Sequence, residues 1–414
     1  MDMKILAALA AAFIMSSAAA SAQTQTSISK IAFGPANTLF AADWRTGRIY
    51  AYTLGPATSA ASRPFNLLDL QVPLAKAVGT ERFRVDDLAM RPGTNEAYIA
   101  LDAGRRNEPA IVRVTPAGTV TKLDLARTHS TSVALEKTGG GVTFWDKVPE
   151  RAYTVTDMKW HKGRLYVAGL ANQSFSSTLR ILSYPFASQT IASVEMYHTV
   201  HNQWETRAPI RAMTFANVGG VDTLLAGYLC SPLVSIPVAS LVDGAHVKAK
   251  TLAELGVAGI PQSMIVYDQP DMQSGKSYPF VLITERYRPS VAIPLSGIEK
   301  ENAGAGITAP PSMTAPPGAN LGAIVEDFDG ALRIDNQDAT FFVALRRNLD
   351  TGAPELVSYD KRASFRLSDA DVSEYDFPAY KYNADYQQKY ILPMQNMLKK
   401  EEGYRDLVVA PKAP

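Results

Sequence analysis

Six short apolar segments punctuate this chain at a nearly even interval, and that repeat constrains the fold more than any other feature. They occupy residues 39–43, 99–102, 167–170, 225–228, 282–285 and 343–346. Aligned on Ala41, Ala100, Ala168, Ala226, Ile283 and Ala344, they recur about every sixty residues, and unrelated apolar runs would not keep that regularity. Most are preceded by a second extended segment, at 28–33, 85–90, 155–160, 210–215 and 264–267. Polar turns separate the two, as in Gly34-Pro35-Ala36-Asn37 and His161-Lys162-Gly163. A third segment follows each, at 48–53, 110–114, 178–184, 233–238, 290–295 and 355–359.

Short strands punctuated by Gly, Pro and Asn, without a long helical period, predict an all-β chain. Four antiparallel strands per unit, repeated radially, make a β-propeller. Six units predict six blades, and residues 303–335 leave room for a degenerate seventh. The unit exceeds the usual blade of about 40 to 50 residues, so its loops are long. A pair of β-sandwiches is the competing architecture, and it gives no reason for the repeat. The pattern resembles the broad class of secreted bacterial β-propeller proteins over nearly the whole chain. No family-defining motif accompanies it, so the resemblance implies a fold and no activity.

Two segments fall outside the period. Residues 303–322 are rich in Gly, Pro and Ala and read as a loop of polyproline character. Residues 361–414 form a C-terminal extension carrying Tyr375, Tyr380, Tyr382, Tyr386 and Tyr390. Asn383 is placed to cap a short helix there, which Pro393 is expected to interrupt. Tyrosines packed across the propeller would hold this extension down; the alternative is a lid or partner-docking arm.

Residues 1–22 read as a secretory leader. Lys4 supplies its charge, and the apolar run 5–15 is about half the length that a bilayer span requires. Ala20-Ser21-Ala22 offers small residues for cleavage after Ala22. The expected organisation is leader 1–22, propeller 23–360 and extension 361–414, in a bacterial periplasm or secreted. No later segment approaches a membrane span. Cys230 stands alone, which excludes an intramolecular disulfide and a Cys-rich zinc site. With 41 basic against 40 acidic side chains, the chain is not a strongly basic nucleic-acid binder.

Propeller geometry nominates a site before any motif does, because loops over a rigid scaffold carry function. Entrances to first strands give Arg84, Asp86, Asp87, Asp157, Arg207, Arg211 and Gln262; turns after second strands give Arg286, Arg288 and Arg346. Arg84, Arg207, Arg211, Arg286 and Arg346, with Trp204, are the candidate ligand-binding set, since guanidinium groups grip carboxylate, phosphate or sulfate in bidentate fashion. Asp87 and Asp157 hold equivalent places in successive units and either line a charged pore or fix blade to blade. The segment 197–207 concentrates His198, His201, Trp204, Glu205 and Arg207. His198, His201 and Glu205 are the donor types of a divalent-metal site, provided the chain turns there, because residues i and i+3 of a strand face opposite ways.

There is no nucleotide loop, no Ser elbow, no covalent-haem motif and no Fe–S cysteine set. The expected function is a binding module for a small anionic or polar ligand, or for an envelope protein, at the channel mouth. The alternative is a propeller-type hydrolase, lyase or lactonase using His201, Asp157 and Asp87 as acid–base groups.

Overall fold

The computed structural model describes residues 24–404 except 59, 145, 257–258, 272–273, 313, 327–329, 363–365 and 370–382. The expected leader and Tyr375, Tyr380 and Tyr382 lie outside the described residues.

The chain opens with strands β1 (Ile31–Phe33), β2 (Thr38–Asp43) and β3 (Arg48–Thr53), then forms β4 (Asn66–Leu67) and helix α1 (Gln71–Val78). A meander follows: β5 (Phe83–Met90), β6 (Ala97–Ala103), β7 (Glu108–Val114) and β8 (Val120–Lys122). Strand β9 (Ser130–Ala134) returns to pair with β3. The hairpin β10 (Thr143–Phe144) and β11 (Val148–Pro149) leads into β12 (Asp157–His161), β13 (Arg164–Leu170), β14 (Ser177–Ser183) and β15 (Gln189–His198). The short β16 (Gln203–Glu205) folds back on β15. Next come β17 (Ile210–Val218), β18 (Val221–Tyr228), β19 (Pro232–Pro237) and β20 (His246–Glu254). They are followed by β21 (Pro261–Pro270), β22 (Ser277–Glu285), β23 (Ser290–Pro294), helix α2 (Leu295–Ala303) and β24 (Ile324–Glu326). Strands β25 (Ala331–Asn336), β26 (Phe341–Arg347) and β27 (Pro354–Asp360) form a sheet completed by β4.

The architecture is an all-β propeller with a short C-terminal helical segment. Its ladders radiate from inner strands packed around a central channel: β5 lies against β1, β1 against β12, β12 against β17, β17 against β21, β21 against β25, and β25 against β5. Two sheets are completed by strands from elsewhere in the chain, β4 on β27 and β9 on β3, which ties the N-terminal part into the ring. The outermost strands β15 and β20 pair in parallel at 193–196 and 246–249, joining two ladders and β16 into one nine-stranded sheet.

The sequence repeat is the second strand of each ladder. Strands β2 and β6 are buried along their whole length, between neighbouring sheets rather than between core and solvent. That explains continuous apolar runs where an alternating pattern would mark a half-exposed strand. Ala41, Ala100, Ala168, Ala226, Ile283 and Ala344 are all fully buried. They pair with Ile31, Asp87, Asp157, Met213, Met264 and Ile334 on the inner strands. Each large aliphatic side chain buried in these layers contributes about 1.5–3 kcal/mol. Arg180 on β14 is fully buried and acts as a bolt: its guanidinium donates to the carbonyls of Glu136, Thr154, Lys137 and Leu170 at 3.0–3.3 Å.

Two sequence expectations change. Residues 303–335 supply the end of α2, a 3-10 turn (Ala319–Leu321), β24 and most of β25, and among the described residues they form no sheet of their own. Asn383 does cap a helix, its Oδ1 accepting the Tyr386 N–H at 2.8 Å, but Pro393 does not interrupt it. The helical path widens into a π turn (Gln387–Ile391) just before the proline and then continues as Leu392–Lys400. That wider turn accommodates a residue with no N–H to donate. Among its described residues the extension docks through charged groups, with the Tyr404 ring 5.8 Å from the Arg366 guanidinium. Buried Arg366 meets Asn66 at 2.7 Å and Glu402 at 3.7 Å, and the Glu402 carboxylate takes the N–H groups of Leu367 and Ser368. Tyr390 is exposed. No helix among the described residues is long and apolar enough to cross a membrane.

Candidate functional site

Four inner strands begin with a bulge, between Val85 and Asp87, Ile210 and Ala212, Pro261 and Ser263, and Ala331 and Arg333. The extra residues are Asp86, Arg211, Gln262 and Leu332. A bulge leaves its residue out of the ladder and re-aims the side chain, so these positions decide the chemistry at the strand-entrance end of the channel.

Just inside, the carboxylates stitch the ring. Asp87 accepts the Ile31 N–H at 2.9 Å and faces Lys30 at 3.5 Å and Arg333 at 3.2 Å. Asp157 accepts the Met213 N–H at 2.7 Å and the Met158 N–H at 2.8 Å. Asp335 accepts the Met90 N–H at 2.8 Å. Each aspartate satisfies an amide of the neighbouring inner strand, which would otherwise be buried unpaired. Of the two roles open to Asp87 and Asp157, the geometry favours holding blade to blade. Neither is grouped with His201, which lies beyond the outermost strand β15; inner and outer strands of one ladder are about 14 Å apart. The acid–base trio expected from the sequence is therefore not assembled in one pocket.

The channel cations are less well matched. Among the described residues the Arg211 guanidinium has no hydrogen-bond or ion-pair partner, and its Nε is buried. Burial first, then the positive charge of Arg333, lowers its pKa; Arg286 adds to this, and Tyr153 and Asp157 oppose it. Burial and Arg333 likewise lower Lys30. Lys159 is pushed down by burial but raised overall by Asp157, Asp335 and Asp87, so it stays an ammonium. It lines a cavity of about 450 Å³ with Lys30, Asp335, Phe33 and Trp160 at the other end of the channel. Lys30, Lys159, Arg211 and Arg333 thus share the channel with the three stitching aspartates, and Asp338 lines the same cavity as Lys30 and Lys159. Lys30, Lys159 and Arg333 were missed in the sequence. Lys30 and Arg333 sit one position away from the aligned inner-strand residues, and that offset is the signal that would have found them.

Two carboxyls at the bulged end are perturbed. Burial, reinforced by Asp102, pushes Asp86 up to about 7 against the pull of Arg84. Burial pushes Glu285 up to about 8, opposed by Arg288. Both Glu285 oxygens are buried without a hydrogen-bond partner among the described residues. A side chain at position 259 would collide with them: a Cβ on Gly259 would lie 2.1 Å from Glu285 Oε2.

The other nominated residues scatter. Arg84 is exposed and pairs with Asp86 at 2.9 Å and Asp102 at 2.6 Å. Arg346 is committed to Glu355, Asp369 and Tyr359, anchoring the chain beyond β27. Arg207 is exposed. Arg286 is exposed and leans over Tyr287. Trp204 lies under Lys248, 4.6 Å from ring centroid to Nζ. Cys230 is half-buried, its Sγ 4.0 Å from Ser231 Oγ.

The chain does turn between β15 and β16, and the turn brings His198, His201 and Glu205 together, with donor atoms all within 4.8 Å of one another. Both imidazoles address one oxygen: Glu205 Oε1 is 3.0 Å from His198 Nδ1 and 2.6 Å from His201 Nδ1. Burial raises the Glu205 pKa, but the hydrogen bonds from His201 and His198 outweigh it and hold the carboxyl below its usual value.

No protein-family model matches this chain, and no curated protein matches it. Among solved structures, it is similar to streptogramin B lyase at 9% identity and TM-score 0.37, over 82% of this chain and 95% of that one. It is similar to the PQQ-bound aldose sugar dehydrogenase of Streptomyces coelicolor at 10% identity and TM-score 0.36, over 82% and 96%. Against PorZ, a surface component of the type-IX secretion system of Porphyromonas gingivalis, the values are 11% and 0.33, over 82% of this chain and 38% of PorZ.

Proposed function

We propose that this chain is an exported six-bladed β-propeller that binds a small anionic ligand at the Arg211 end of its central channel. The blade count is supported by the closed succession of inner strands β5, β1, β12, β17, β21 and β25. Export is supported by the composition of residues 1–22. The observation that carries the binding reading is Arg211, a bulged, half-buried arginine whose enclosed Nε has no partner among the described residues and which feels the charges of Arg333 and Arg286. A buried polar group left unpaired costs stability, so an arginine held this way is poised for a partner from solution. A carboxylate, sulfate or phosphate supplies the missing acceptors and the missing charge.

Isothermal titration of the full chain at low ionic strength, with sulfate, phosphate and citrate as probes, tests this. Saturable one-to-one binding by at least one probe is expected, weakened at least tenfold by Arg211→Met and unchanged by the exposed control Arg207→Met. Absence of heat with all three, or binding that survives Arg211→Met, overturns it.

The enzyme alternative rests on different residues from those nominated in the sequence. Asp86 at about 7 and Glu285 at about 8 are carboxyls poised near neutrality, as a general acid requires. Glu285→Gln abolishing turnover of a lactone or glycoside substrate would favour that reading over simple binding.

A further inference from the structure

The strongest unassigned feature lies away from the channel, where the parallel pairing of β15 and β20 ends. Thr199 follows β15 and gives both its N–H, at 3.0 Å, and its hydroxyl, at 2.6 Å, to Glu254 Oε1 on β20. The other Glu254 oxygen, Oε2, takes the Ser231 hydroxyl at 2.5 Å. A serine hydroxyl has a single proton. Ser231 spends it on Glu254, so toward His198 Nε2, at 3.2 Å, Ser231 Oγ acts as an acceptor. His198 Nε2 therefore donates to Ser231 Oγ. His198 Nδ1 faces Glu205 Oε1, 3.0 Å away. The three donor atoms, His198 Nδ1, His201 Nδ1 and a Glu205 oxygen, lie within 4.8 Å of one another, with the His198 ring buried.

We propose that His198 Nδ1, His201 Nδ1 and Glu205 bind one divalent first-row transition ion of the Zn²⁺ class at the turn between β15 and β16. Two imidazoles and one carboxylate suit such an ion better than Mg²⁺ or Ca²⁺, which favour all-oxygen shells. Three protein ligands leave a coordination position for water. The Ser231–Glu254 relay meets the usual requirement that a ligating histidine donate its second N–H onward. Ligand atoms about 2.0–2.2 Å from an ion lie roughly 3.0–3.5 Å apart, so the 2.6 Å His201 contact must open by under about 1 Å. His201 is half exposed, which lets it swing and gives the ion a path in.

The test uses the full chain, stripped with a chelator and titrated with ZnCl₂ in a calorimeter, and Co²⁺ absorption to report nitrogen ligation. One saturable equivalent is expected. His201→Ala and Glu205→Gln should each weaken it about 100-fold, and Ser231→Ala about tenfold through lost orientation of His198. His201→Ala removes an exposed ring, so its melting temperature in chelator should match the parent. Absence of saturable Zn²⁺ binding, or binding of parental strength in both His201→Ala and Glu205→Gln, overturns the proposal and leaves the cluster a set of ordinary hydrogen bonds.

Discussion

Arg180, fully buried, and Arg211, half-buried with an enclosed Nε, lie on neighbouring ladders and are treated in opposite ways. Around Arg180 the chain has arranged four carbonyls, from Glu136, Lys137, Thr154 and the last residue of β13, Leu170, to receive one guanidinium. Burial still lowers its pKa to about 10, yet its donors are met. Around Arg211 there is a bulge, a neighbouring arginine and a buried Nε with nothing to donate to among the described residues. Burial alone therefore does not mark function; burial with the partner withheld does. The carboxylates follow the same division. Asp87, Asp157, Asp335 and Glu254 accept backbone N–H groups and belong to the fold. Among the described residues Glu205 receives two imidazoles and no backbone N–H, and its chemistry is free to be used.

That contrast can be broken by substitution. Arg180→Met strands four buried carbonyls and should cost about 3–5 kcal/mol, read as a lower urea midpoint. If it costs less than 1 kcal/mol, the bolt is not structural. Asp157→Ala leaves the Met213 N–H unpaired beside Lys159 and should cost about 2–3 kcal/mol in the same assay. A loss of ligand binding without loss of stability would move Asp157 from fold to function.

Glu285 sharpens the comparison through pH. Its folded pKa, about 8, lies above the ordinary 4.5, so the fold favours the protonated form. The associated stability is complete below pH 4.5, declines as pH rises, and is gone above about pH 8. Glu285→Gln should therefore match the parent at pH 4 and exceed it by about 2 kcal/mol at pH 8.5. A pH-independent difference would show that the carboxyl ionises freely. The smallest effect is expected from Lys389→Ala, whose pair with Asp385 is exposed on both sides; a shift within about 0.5 kcal/mol is expected, and a larger one would give the extension a bigger part in stability than its charges suggest.

The fold was legible because doubly buried second strands leave continuous apolar runs at a fixed spacing, and Ala41 through Ala344 marked those strands in every unit. Ring order was not legible: β4 and β9 are too short to announce which sheet they complete, and long-range pairing has no local signature. The proposed metal ligands were legible as residue types, but whether they converge depended on the turn at 199–202. At the channel, the sequence put Arg211 and Asp157 at strand entrances without distinguishing a satisfied side chain from an unsatisfied one. Arg346 shows the reason, since its partner Asp369 lies in the extension, outside the repeat that guided the reading.

The most direct test of the account is the thermal stability of Arg211→Met, with and without saturating anion. The folded environment lowers the pKa of Arg211, so its charge is a burden at neutral pH and its removal should not destabilise the fold. The account predicts a melting temperature equal to or above the parent without anion, and no further rise when anion is added, whereas the parent rises. A variant that melts well below the parent, or that anion stabilises just as strongly, would contradict it.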